Sequence, residues 1–95
     1  LVTRDQRRFL LDVDVVARGR RWDDGTTTYL VAEVSSVIDS EDVRRAVERA
    51  EVLARATGTP TVAAVAGEAI TPSAEEAAKA QRVWRVLDGR AHPPE

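Results

Sequence analysis

The sequence predicts an α/β domain with a mixed four-stranded sheet, a β-hairpin followed by a βαβ unit, carrying one long and one short helix. Three observations predict it. Two runs rich in β-branched residues, 10–17 and 29–36, flank a polar connection, and such runs bounded by turn residues read as strands. From 41 to 57 apolar residues recur at three-four spacing, the stripe of a core-facing helix. A further apolar run at 61–66 follows at once. A strand, a helix of that length and a buried strand form a crossover, so the two strands should be parallel.

Residues 1–9 read either as the end of a helix or as an extended lead-in. The folded domain is expected over 10–88. Its first strand covers about 10–18, and residues 19–27 connect it to a second strand at about 28–37. Asp24-Gly25 supplies the turn-forming dipeptide. Asp39 or Ser40 can cap the long helix, and Glu41 and Asp42 suit its positive start. Val43, Ala46, Val47, Ala50, Leu53 and Ala54 form its stripe, while Glu41–Arg45 and Glu51–Arg55 are favourable i,i+4 pairs. Gly58 stops the helix and Pro60 prevents its continuation. Gly67 ends the third strand. Thr71-Pro72 opens a short helix running to about Gln81, and 82–87 alternates as a fourth strand. The tail, 89–95, is expected to be disordered.

Composition narrows the function. Ninety-five residues make one small domain, and 43% hydrophobic with 32% charged residues is a globular balance. No apolar run approaches the roughly 20 residues of a membrane span. No secretory pattern opens the chain, which makes a cytoplasmic location the expectation. The absence of cysteine excludes disulfides, thiolate catalysis and zinc–thiolate sites. With no methionine and Leu1 first, the chain reads as a fragment or a trimmed product. A net charge of −2 argues against broad attraction to nucleic acid. The basic residues of 1–21 are offset by neighbouring aspartates.

The chemistry-bearing residues are acids inside apolar strands. Asp12 and Asp14 share one face of the first strand, and Glu33 and Ser35 one face of the second. An ionised carboxylate in such a strand is costly unless a charge or a metal compensates it. A hairpin of these strands would bring Asp14 beside Glu33 and make a divalent-cation site.

The stretches Leu11-Asp12-Val13-Asp14-Val15-Val16-Ala17 and Val31-Ala32-Glu33-Val34-Ser35, set on a β-turn-β-α-β order, resemble the PD-(D/E)XK, or restriction-endonuclease-like, nuclease superfamily. The resemblance spans about 10–67. It implies a restriction-endonuclease-like fold and a magnesium-dependent phosphodiesterase acting on DNA or RNA, with manganese as a substitute ion. Asp14 and Glu33 would then be catalytic metal ligands, with the Val34 carbonyl as a third. Asp12 would be an accessory acid. Magnesium in such a site activates water and stabilises the leaving oxygen. Ser35 stands where the superfamily carries lysine, and the one lysine, Lys79, lies in the second helix. Arg44 and Arg45 are accessory candidates on the first helix, although arginine holds its proton too firmly to act as a base.

Plainer readings stand beside these. Asp12 and Asp14 also fit a solvent-facing strip of an edge strand. Glu33 also fits a partner of a core arginine such as Arg18. Ser35-Ser36 reads as hydroxyls bonding backbone, and His92 as solvated in the tail, so serine hydrolysis is not expected. Arg44, Arg45 and Arg49 read as a solvated helix face, or as phosphate contacts. Trp22 is expected to pack across the hairpin and Trp84 in the core. The chain is therefore either a divergent metal-dependent nuclease or a non-catalytic α/β interaction domain that self-associates to cover its sheet edges.

Overall fold

A hairpin opens the structure, a computed structural model that describes residues 15–94. β1 (Val15–Arg20) runs antiparallel to β2 (Thr27–Val34), with Val15 opposite Ala32 and Arg20 opposite Thr27. The Asp24 carboxylate closes the turn by accepting from the Thr26 N–H at 2.9 Å and from its hydroxyl at 2.7 Å. Gly25 takes the left-handed conformation, φ 72°. β3 (Val37–Ile38) leads into α1 (Ser40–Thr57). β4 (Thr61–Gly67), β5 (Ala69–Ile70), α2 (Pro72–Ala80), β6 (Trp84–Leu87) and β7 (Arg90–His92) complete the order.

The main sheet runs β1-β2-β4-β6-β7, and β3 pairs with β5 in a separate two-stranded sheet. β2, β4 and β6 are mutually parallel, while β1 and β7 are antiparallel edges. The expected crossover is present, with α1 joining parallel β2 and β4. Its start is fixed by a reciprocal capping box between Asp39 and Asp42, and its end by Gly58 at φ 66°. Thr71 caps α2 through its hydroxyl, and Pro72 occupies the first turn.

Both helices lie on one face of the sheet. Val43 and Ala46 of α1 and Ala74 and Ala78 of α2 close over Val65 and Ile38, and Ala50 and Leu53 close over Val31. Side chains alternate along a strand, so Val31 and Val65 fix which residues face the helices. Arg85 is on that side too, donating to Glu75 of α2 at 2.7 Å and to the Pro93 carbonyl at 3.1 Å. Gly67 is required by a close approach: a Cβ there would sit 2.1 Å from the Ser35 carbonyl oxygen.

Several expectations need correcting. The main sheet has five strands, not four, because Asp88 and Gly89 both take positive φ, 48° and 81°, and turn the chain back as β7. The tail expected to be disordered thus supplies a strand at 90–92. The second strand stops at Val34, three residues short of its expected end. There the Ser35 N–H still reaches Ala66, but the Ser36 carbonyl accepts from Glu68 and Ala69 and starts the β3–β5 pair. Trp22 is fully exposed in the hairpin connection rather than packed across it, and Trp84 is 37% exposed rather than core. Of the first strand, 10–14 lie outside the described residues, as does the 1–9 lead-in. Among the described residues no helix is long and apolar enough to cross a membrane.

Candidate functional site

Glu33 is two residues beyond Val31 on β2 and so shares its helix-facing side. Its side chain is therefore directed beneath α1, and the residue is only 3% exposed. A charge so placed must be met by another charge or by hydrogen bonds. On α1, positions 42, 45 and 49 are separated by three and four residues, which puts them on one side of the helix. Arg49 Nη1 donates to Glu33 Oε1 at 2.5 Å, and Arg45 Nε donates to the same oxygen at 3.1 Å. Arg45 Nη2 also donates to Asp42 Oδ1. The other Asp42 oxygen accepts from the Asp39 N–H at 2.9 Å, closing the capping box. A continuous ladder thus runs from the start of α1 to the middle of the sheet, and its two carboxylates and two guanidinium groups cancel in charge.

Arg49 is 8% exposed and Asp42 6%. Arg45 reaches further toward solvent, with 37% of its side chain exposed. The hydrogen bond to the Glu33 carboxylate raises the Arg45 pKa above its ordinary value, and burial opposes that rise. Glu33 Oε2 is buried and accepts no hydrogen bond among the described residues.

The compensating arginines are therefore Arg45 and Arg49, not Arg18, which lies on the exposed strand β1. Arg44 stays on the solvent side, bonded to Glu41 and Glu48. Hence the solvated-face reading holds for Arg44 and fails for Arg45 and Arg49. The signal was present in the sequence: Arg49 sits within the apolar stripe, between Ala46 and Ala50.

The Ser35 hydroxyl, in the place where the sequence resemblance would expect lysine, donates to the Val37 carbonyl at 3.0 Å. It serves as a backbone tie at the strand end. His92 is on β7, three strands from β2, or about 14 Å at ordinary strand spacing. Val34 ends β2 with its side chain half exposed on the other face. Asp12 and Asp14 lie outside the described residues. Among the described residues no group of three His, Cys, Asp or Glu side chains is placed to hold a metal ion.

Comparison with known proteins returns no matching family model, no matching curated protein and no matching solved structure.

Proposed function

We propose that this chain is a divergent, restriction-endonuclease-like domain in which hydrolysis has given way to association: a non-catalytic α/β domain that self-associates. The observation that carries this reading is the double engagement of Glu33 Oε1 by Arg45 and Arg49. In a magnesium site that carboxylate would need to face a divalent cation. Two guanidinium groups on it already satisfy its charge and would repel a second cation at the same place. Ser35 supports the reading further, because a hydroxyl whose proton is donated to a carbonyl lacks the basicity of the lysine it replaces and does not deprotonate water. The net charge of −2 offers no general attraction for a polyanion.

A catalytic reading draws on one specific observation: Glu33 Oε2 is buried without a hydrogen-bond partner among the described residues. In that reading Glu33 would supply one ligand to a magnesium or manganese ion, and Asp14 is the second ligand the sequence resemblance implies. Calorimetric titration with manganese, paired with cleavage assays on single- and double-stranded DNA and RNA, separates the two. The association reading expects neither saturable heat nor cleavage. Saturable binding with cleavage, both lost in Asp14→Ala and Glu33→Ala, would overturn it.

A further inference from the structure

The sheet has a second face, opposite the helices, and its chemistry is one-sided. Val15, Ala17 and Gly19 of β1 lie beside Ala32, Leu30 and Thr28 of β2 there. Val62, Ala64 and Ala66 of β4 continue it, followed by Trp84 and Val86 of β6 and Ala91 of β7. Every charged strand residue, namely Arg18, Arg20, Glu33, Arg85 and Arg90, falls on the alternate, helix-facing positions. Among the described strand residues, Thr28 is the one polar side chain on this face, Arg21 borders it at the hairpin end, and no helix covers it.

Such a face is out of place in solvent. Parallel strands such as β2, β4 and β6 ordinarily have both faces covered, and contiguous apolar patches of several hundred square ångströms mark contact sites. Five strands at ordinary spacing give this face a plan area of about 400 Å². Allowing for its corrugation, two copies would bury on the order of 1,000 Å² between them, at the lower bound for a specific interface.

We infer that this face is the self-association surface, and that two copies pack sheet against sheet about a two-fold axis with their helices outward. The inference rests on the association reading above and gives it a location. A two-fold contact sets a surface against itself, so a face whose strand side chains are uncharged, with its charges confined to the rim, has little to repel its own copy. Knob and hole are both present on it. A trough of about 450 Å³, lined by Ala17, Gly19 and Ala64 and bordered by Arg21, runs beside the part-exposed ring of Trp84. An aromatic anchor seated among small residues is the usual energetic centre of an interface. Inner faces of this kind pack about 10 Å apart.

Sedimentation equilibrium from about 1 μM to about 100 μM tests the inference. The Trp22→Phe chain is used in parallel, leaving Trp84 as its one tryptophan. Mass should rise to that of a dimer, and Trp84 emission should move to the blue with the same midpoint. Ala17→Glu on the exposed edge strand leaves the monomer fold intact and should weaken the dissociation constant at least about tenfold, as burying unpaired charge requires. Trp84→Lys should do the same, whereas Lys79→Glu on the far side should not. A monomer throughout the range, or a dimer insensitive to both Ala17→Glu and Trp84→Lys, would overturn the inference. Manganese titration of the same samples keeps failure of this surface distinct from failure of the non-catalytic reading.

Discussion

Replacing Glu33 by glutamine removes one charge from the centre of the ladder while keeping the side chain's shape. Two charge-assisted hydrogen bonds to Oε1 are weakened, each worth about 1.5–3 kcal/mol. The contributions are unequal. Arg45 is more than a third exposed and can turn to water, so solvent screening discounts its share to about 1 kcal/mol. Arg49 is buried, and weakening its ion pair falls in the range of breaking a buried pair. The net loss should be about 3 kcal/mol. For a domain of this size it would lower the thermal midpoint by about 12–24 °C and the urea midpoint by about 2 M. Urea unfolding at neutral pH without divalent metal is the assay. If Glu33 were instead one of several carboxylates awaiting a cation, removing its charge would relieve repulsion and leave stability unchanged or higher. A Glu33→Gln chain within about 0.5 kcal/mol of the parent would refute the reasoning.

Gly67→Ala should destabilise by at least about 2 kcal/mol, because the new methyl meets the Ser35 carbonyl; an unchanged melting temperature would contradict this. Asp39→Ala removes one half of the capping box and should cost about 1 kcal/mol in urea unfolding. The N–H groups of Arg44 hold the Glu41 carboxyl below the ordinary glutamate value. Its contribution to stability is therefore complete above that ordinary value and fades as pH falls through the lowered one. Arg44→Ala should thus destabilise at neutral pH, and that effect should shrink as Glu41 is protonated, as acid titration of the unfolding midpoint would show.

The elements that carry strong local signals were legible from residues alone. Asp39, the stripe from Val43 to Leu53, Gly58 and Pro60 all agree on α1, and the apolar run after it demanded a parallel strand. β3 and β5 were not legible, since two residues show no periodicity and their pairing depends on where Ser36 lands. β7 had a signal that its terminal position obscured: Asp88-Gly89 between two short runs is a hairpin dipeptide, but a chain end reads by default as a loose tail. At the site, Glu33 was recognisable as a charge needing compensation. Of its partners, Arg49 was marked by its place within the apolar stripe, whereas Arg45 resembles an ordinary surface arginine until the helix is docked on the sheet. Trp84 was misplaced for a related reason: alternation gives its parity, but not which face the helices cover.

In the non-catalytic reading arginine, not a divalent cation, neutralises Glu33. Paramagnetic broadening by manganese tests it most directly, followed at the backbone amides of Glu33, Val34 and Ser35. These resonances should stay sharp at stoichiometric manganese, with the Arg45 and Arg49 guanidinium signals unchanged. Selective loss of the Glu33 and Val34 amides at substoichiometric manganese, reversed by chelation, would contradict it.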